Sequence, residues 1–170
     1  ARDIAQRFNH IYGEVFVLPE AVVDAKAAVL SGLDGRKMSK SYNNTIPLFA
    51  PSKKLRKLIM KIKTNSLEPG EPKDPDDSTL FDIYKAFASD EETAAYRQKL
   101  LEGAGWGDAK QELFEYLDAH LAGAREEYNK LIADPAHVEN ELQKGAVRAR
   151  EQSSILIAKV RKAVGICGLA

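Results

Sequence analysis

The sequence of 170 residues contains one cysteine and three histidines. A single cysteine, Cys167, excludes an internal disulfide. His10, His120 and His137 lie far apart, and none has a second ligand at metal-binding spacing, so a zinc site is not expected. Cys167 has no neighbouring histidine and no Gly-x-Ser-x-Gly elbow occurs, which removes the common nucleophile arrangements. Cys167 closes an apolar-periodic stretch and reads as a small packed side chain. No apolar run approaches the ~20 residues of a membrane-spanning helix, and no secretory signal opens the chain. A cytoplasmic protein is the expectation. Internal repeats and low-complexity tracts are also missing.

The most informative absence is of negative charge. Residues 35–67 carry nine basic residues and no acidic one. The whole chain is neutral, yet residues 1–66 hold 12 basic and 5 acidic residues while 67–170 hold 13 and 20. A basic first third and an acidic remainder point to two modules, with polyanion contacts weighted to the first. At the centre of the basic stretch stands Arg36-Lys37-Met38-Ser39-Lys40-Ser41, opened by Asp34-Gly35 and closed by Tyr42-Asn43-Asn44. Lysine ammonium groups are mobile point charges for phosphate, and serine hydroxyls and free loop N–H groups add uncharged donors. The hexapeptide therefore suits a polyphosphate. Asp76-Asp77 and Glu91-Glu92 read as solvated acids in a loop and in the first turn of a helix, where they complement its dipole.

Ile4, Phe8 and Ile11 recur at helical spacing and predict a helix over 2–11, stopped near Gly13. The chain enters this pattern at once and without Met, so a fragment or a processed chain is expected. Val15-Phe16-Val17-Leu18 predicts a short extended segment, and 20–26 one or two helical turns. Ala27-Ala28-Val29-Leu30 suits a buried strand that delivers the chain to the basic loop, with helix as the alternative. Leu55, Leu58, Ile59 and Ile62 form an apolar stripe on a helix opened by Pro51-Ser52. Lys53, Lys54, Arg56, Lys57, Lys61 and Lys63 cover its remaining surface, which is either a solvated face, a phosphate contact or a stem that carries the loop. Residues 67–78 hold three of the seven prolines. They form the best boundary by composition, since proline removes donors and disfavours helix before it.

Helices are expected throughout the remainder. Leu80, Ile83, Tyr84 and Phe87 make one stripe. Ser89 and Glu92 resemble a capping box, and that helix ends near Gly103. The next helix opens at Gly105-Trp106-Gly107-Asp108 and carries a seam of Leu113, Leu117, Leu121, Ala124, Tyr128 and Leu131. Asp134-Pro135 reads as an N-cap with proline at the first helical position. Val138, Leu142, Ala146, Ala149, Ser153, Leu156, Val160 and Ala163 then run to Gly165. Four helices with short connections imply an antiparallel bundle.

Lys37-Met38-Ser39-Lys40-Ser41 spells KMSKS, the signature loop of class I aminoacyl-tRNA synthetases. Its frame, Gly32-Leu33-Asp34-Gly35 before and Asn43-Asn44-Thr45-Ile46-Pro47-Leu48-Phe49 after, resembles bacterial tryptophanyl-tRNA synthetases. Arg2-Asp3-Ile4-Ala5 with Phe8-Asn9 and Tyr12-Gly13 is similar to the helix that follows the ATP-contacting segment in that family. Leu55-Arg56-Lys57 through Ile62-Lys63-Thr64-Asn65-Ser66 is similar to the helix after its loop. Gly105-Trp106-Gly107 with Lys110 and Leu113, and Gly145-Ala146 with Ala149-Arg150, resemble its C-terminal helical region. His10-Ile11-Tyr12-Gly13 looks like HIGH, the other class I signature, but it stands at a helix end only 23 residues before Lys37 and reads as ordinary.

The resemblance implies a mostly α chain: the end of a Rossmann-type nucleotide-binding domain, with one or two short strands, followed by the helical bundle. Residues 1–66 would be the last part of the catalytic domain, 67–78 a Pro-rich linker and 79–170 a helical anticodon-binding domain. The implied function is ATP-dependent activation of tryptophan and its transfer to tRNA(Trp), with ATP as substrate together with Mg2+ and a homodimer as the full-length assembly. Lys37, Met38, Ser39, Lys40 and Ser41 would form the ATP loop, with Lys37 and Lys40 catalytic and Lys40 on the pyrophosphate. Val29 would touch the adenine. Lys144, Arg148, Arg150, Lys159, Arg161 and Lys162 would meet RNA phosphates, or form a solvated face. The residues of a HIGH signature and a tryptophan pocket do not occur in the chain, so by itself it is expected not to activate tryptophan. KMSKS also serves enzymes for other amino acids, and the flanks are what argue for tryptophan. The alternatives are a tyrosine-specific relative and, from a different class, a non-catalytic helical RNA-binding module.

Overall fold

A computed structural model describes residues 1–23 and 29–166. It contains six α-helices, α1 (Arg2–Tyr12), α2 (Ser52–Met60), α3 (Thr79–Lys85), α4 (Asp90–Leu101), α5 (Trp106–Ala133) and α6 (Pro135–Ala163), with 3-10 turns at Lys40–Tyr42 and Pro75–Asp77. Among the described residues there is no strand, and the nearest thing to one is an isolated antiparallel bridge between Ser31 and Lys37. The chain divides into two compact units, Asp24–Lys130 and Ala1–Val23 with Leu131–Ala170.

The unit Asp24–Lys130 holds the hydrophobic core. Leu55, Ile59 and Ile62 from α2 and its end, Leu80, Phe81, Ile83 and Tyr84 from α3, Tyr96 and Leu100 from α4, and Ala109, Leu113 and Leu117 from α5 form one buried cluster. Leu33 and Ile46, at the two ends of the basic loop, pack against it. The loop is therefore anchored to the core by apolar burial, worth about 1.5–3 kcal/mol for a fully buried aliphatic side chain. Helix starts follow the local chemistry. The Ser89 hydroxyl accepts from the Glu92 N–H at 3.2 Å and the Glu92 carboxylate accepts from the Ser89 N–H at 2.8 Å, a complete capping box. That bond, with the Tyr116 hydroxyl, holds the Glu92 carboxyl below its ordinary range.

The Pro-rich segment is packed rather than loose. Lys73 is 0% exposed and donates from Nζ to the carbonyls of Glu68 (3.0 Å) and Glu71 (2.8 Å). Its backbone N–H bonds Leu100 O at 2.9 Å, and Gly70 N–H bonds Gly103 O at 2.8 Å. At Gly103 a Cβ would lie 2.6 Å from the Gly70 carbonyl carbon, and φ is +91°. Glycine is required there on both counts. Trp106 donates from Nε1 to Asn65 Oδ1 at 2.9 Å, and Arg97 forks onto Asp76, with one bond of 3.0 Å.

In the other unit, α1 buries Ala5 and stops at Gly13, whose φ is +90°. His10-Ile11-Tyr12 is its last turn, in keeping with an ordinary helix end. The extended segment expected at 15–18 is not a strand. Asn9 holds it instead, accepting at Oδ1 from the N–H groups of Val15 (3.1 Å) and Phe16 (2.9 Å) and donating from Nδ2 to Phe16 O at 2.7 Å. These bonds take the backbone groups that a neighbouring strand would need. Asp134 caps α6, accepting from the His137 N–H at 3.1 Å with Pro135 next. Yet α6 buries none of its residues. On α5 the seam is buried at Leu113, Leu117 and Leu121, whereas Ala124, Tyr128 and Leu131 are exposed. Of the strand expected at 27–30, Ala27 and Ala28 lie outside the described residues, as does Cys167. Val29 is exposed and Leu30 half-buried, with no strand pairing.

Candidate functional site

Two short backbone ladders fold the basic loop back on itself. Gly32 N–H bonds Arg36 O at 2.7 Å, Gly35 N–H bonds Gly32 O at 2.9 Å, and Met38 N–H bonds Leu30 O at 2.8 Å. The turn runs through Gly35 at φ +81°. On the far side, Leu33 N–H bonds Asn44 O and Lys63 N–H bonds Leu33 O, both at 3.0 Å, which ties the loop to the end of α2. Ser31 Oγ donates to Asp82 Oδ2 at 3.2 Å, and Lys85 holds the other Asp82 oxygen at 2.7 Å. The loop thus enters and leaves through bonds to α3 and α2.

The three cations of the hexapeptide are not equivalent. Arg36 donates from Nε to Asp34 Oδ2 at 2.7 Å and lies 4.3 Å over the Tyr42 ring. It is committed to the loop's own architecture. Lys37 and Lys40 are exposed, and neither forms an ion pair among the described residues. Met38 between them is half-buried and lines an apolar cavity of about 100 Å³ with Leu30, Ile46, Ile83 and Leu117. Alternation thus roots Met38 in the apolar interior, while two ammonium groups remain in solvent. Ser39 Oγ and Ser41 Oγ are 2.8 Å apart, and Asn43 takes the left-handed conformation at φ 52° that ends the 3-10 turn.

Asn44 is the residue that sequence reasoning passed over. It is 2% exposed. Its Oδ1 accepts from Ser39 N–H at 2.8 Å, and its Nδ2 donates to Asp34 Oδ1 at 2.7 Å and Lys37 O at 3.2 Å. The Asn44 amide, and after it Arg36, hold the Asp34 carboxyl down at about 2. The carboxylate is favoured by folding, so its contribution is full above the ordinary Asp value of about 4 and is lost as pH falls through about 2. In the sequence Asn43-Asn44 only closes the basic stretch, and nothing in the spacing marks a clamp.

Gly32 shows how tightly the clamp is seated. A Cβ there would lie 2.4 Å from Asn44 Nδ2 and 2.7 Å from Asn44 O. The second contact is backbone and does not give way cheaply. Gly32→Ala is expected to destabilise the protein by about 1–3 kcal/mol through overpacking, read as a lowered thermal midpoint. An unchanged midpoint would show that Asn44 can move aside.

The remaining candidates separate from this site. Val29 is 58% exposed, and among the described residues it shares none of the loop's hydrogen bonds. A polar cavity of about 240 Å³ beside Gly35 is lined by Asp76, Asp77 and Asp82 against Lys63. Its carboxylates would repel a polyphosphate. The six cations on and after α2 are exposed and none is in an ion pair among the described residues; Arg56 bonds only Gln111 Oε1, at 3.2 Å. On α6, Lys144 pairs with Glu141 at 2.6 Å, while Arg148, Arg150, Lys159, Arg161 and Lys162 are exposed. Among the described residues no helix is long and apolar enough to cross a membrane.

Comparison with known proteins gives this geometry its context. The family described as tRNA synthetases class I (W and Y) matches residues 1–137. The chain is 58% identical to a tryptophan–tRNA ligase of Pseudomonas aeruginosa, over 99% of its own length and 38% of that protein's. It is 54% identical to one from Xanthomonas campestris, over 100% of this chain and 40% of that one. A crystal structure of tryptophanyl-tRNA synthetase from Campylobacter jejuni, complexed with ADP and tryptophan, superposes with a TM-score of 0.76 at 39% identity, covering 96% of this chain and 52% of that one. The chain thus spans about two fifths of the length of the curated relatives it matches. With the KMSKS loop and its flanks in place and the family match running through 137 positions, the chain belongs to the class I tRNA synthetases of the tryptophan and tyrosine group.

Proposed function

We propose that this chain is the part of a tryptophan–tRNA ligase that supplies the pyrophosphate-binding loop and helices for tRNA. Residues 1–66 belong on this reading to the catalytic Rossmann-type domain, 67–78 connect it onward, and 79–170 form an antiparallel helical domain that binds the tRNA(Trp) anticodon. The observation that carries the proposal is the pair of solvent-facing lysines, Lys37 and Lys40, on a loop whose third cation is already committed to Asp34 and Tyr42.

In adenylation the tryptophan carboxylate attacks the α-phosphorus of ATP. A carboxylate O–P bond forms, the bond to the α–β bridging oxygen breaks, and its electron pair leaves with pyrophosphate. Negative charge builds on the departing oxygens, and cations positioned there stabilise the transition state more than the ground state. Lys40 is assigned to the pyrophosphate, with Lys37 beside it and the Ser39 and Ser41 hydroxyls as neutral donors. Met38 completes the loop as its apolar root, and Val29 is assigned to the adenine. Among the described residues no group of three or more His, Cys, Asp and Glu is arranged to hold a metal ion. On this reading Mg2+ enters with ATP as part of the substrate, as is usual where phosphates supply most of its ligands. The full-length protein is proposed to act as a homodimer in the cytoplasm.

The test is charging of tRNA by the full-length protein with each amino acid in turn. Tryptophan is expected to be transferred to tRNA(Trp) in preference to the rest. Charging with tyrosine instead would keep the family and sink the specificity, and binding of tRNA without any charging would favour a non-catalytic RNA-binding module.

A further inference from the structure

One polar side chain holds the backbone on both sides of Met38. The Asn44 oxygen accepts from Ser39 N–H, and its nitrogen donates to the Lys37 carbonyl and to Asp34. These partners fix the amide's orientation, because only the oxygen can receive an N–H and only the nitrogen can donate to a carboxylate. Asp34 is itself held by the backbone N–H of Arg36 (3.1 Å) and by the Arg36 side chain. Every side-chain partner of Asn44 lies within residues 34–39, and none comes from the helical core. The clamp therefore acts on the loop and not on the core that carries it.

Lys37 and Lys40 flank the gripped stretch. The distance between two flexible ammonium groups depends on where their backbones stand, and the backbone from Lys37 to Ser39 stands where Asn44 holds it. We propose that Asn44 is a positioning residue for adenylation, which through its bonds to Lys37 O and Ser39 N–H sets the spacing of the two lysines that receive the pyrophosphate. The inference rests on the function proposed above. Asn44 touches neither the α-phosphorus nor either reacting oxygen; the bonds made and broken are those already given. Its role is to reduce the search that the lysines make before pyrophosphate departs.

The experiment uses the full-length protein and tryptophan-dependent ATP–pyrophosphate exchange. Four variants are compared with wild type: Asn44→Ala, Asn44→Asp, the double variant Asp34→Asn/Asn44→Asp, and Lys40→Ala. Asn44→Ala is expected to lower kcat on the order of 100-fold, the scale of a displacement of about 1 Å in a positioned group. The KM for tryptophan is expected to stay near wild type; the thermal midpoint is expected to fall, because Asn44 also holds Asp34, with the protein still folded at the assay temperature. Asn44→Asp sets a carboxylate against Asp34 and is expected to be at least as impaired. The double variant restores an amide donor facing a carboxylate acceptor and keeps an acceptor for Ser39 N–H, but it supplies no donor for the Lys37 carbonyl and gives up the Asp34–Arg36 pair, so it is expected to recover only part of the loss relative to Asn44→Asp. A wild-type kcat for Asn44→Ala would overturn the proposal. So would a loss fully accounted for by a reduced folded fraction at the assay temperature, or a loss that falls on the KM for tryptophan with kcat unchanged. A wild-type protein without exchange, or an unimpaired Lys40→Ala, would instead sink the proposed function and this inference with it.

Discussion

Replacing Lys40 with alanine in the full-length protein is expected to lower the kcat of tryptophan-dependent ATP–pyrophosphate exchange by about 100- to 1,000-fold, the effect of removing one positioned electrostatic group. Lys40 is exposed and has no ion pair among the described residues, so folding has little to lose with it. Thermal denaturation should superpose on wild type. The loss should fall on kcat more than on the KM for tryptophan, since on the proposed reading the ammonium meets charge that develops only as pyrophosphate departs. Arg36 sharpens the contrast. Its guanidinium is held by Asp34 and Tyr42, so the same truncation there removes loop architecture, not a phosphate ligand. Wild-type exchange by the Lys40 variant would take the loop out of the chemistry.

The largest stability effect is expected at Tyr96. Its ring is 1% exposed, stacks on Tyr84 with centroids 4.1 Å apart and lies parallel to Phe81 at 6.5 Å. Its hydroxyl donates to the Ala109 carbonyl at 2.9 Å, so one side chain joins α3, α4 and α5. Burial pushes the phenol well above its ordinary range, and the neutral form is the one that donates this bond. Tyr96→Ala should cost about 3–5 kcal/mol, as for other large aromatic truncations in a core. Tyr96→Phe should cost about 0.5–1.5 kcal/mol, the net worth of one hydrogen bond. Urea denaturation of both variants separates the two contributions. A loss below 1 kcal/mol for Tyr96→Ala would mean that the three helices do not depend on this ring.

What the sequence made legible was local. The Ser89–Glu92 box, the Asp134-Pro135 start, the Gly13 and Gly103 stops and the Leu55–Ile59–Ile62 stripe are set within a turn or two of chain. What it hid depended on partners. Val15–Leu18 has the composition of a strand, but strands exist only in pairs, and Asn9 bonds that backbone first. The seam beyond Leu121 and the periodic residues of α6 show which face is apolar, and periodicity cannot say what covers it. The basic loop was legible as chemistry because its residue types are rare in that order. Its internal division of labour was not: Arg36, Lys37 and Lys40 carry the same charge on paper, and only the Asp34 and Tyr42 contacts set Arg36 apart. Asn44 was hidden for the same reason, since its partners lie five to ten residues back and its letter reads as a turn.

Lys73 and the surface lysines will respond differently to ionic strength. The exposed ammonium groups of the loop and of α2 face water and are screened within about 10 Å at 0.1 M salt, so any grip they have on a polyanion weakens as salt rises. Lys73 lies out of solvent on two backbone carbonyls, with no carboxylate to exchange for a counterion. Dissolved ions have no access to that contact. That contact is therefore expected to stay fixed at salt concentrations that would release a polyanion from the loop as proposed, so a loss of ligand in high salt would report on the exposed lysines.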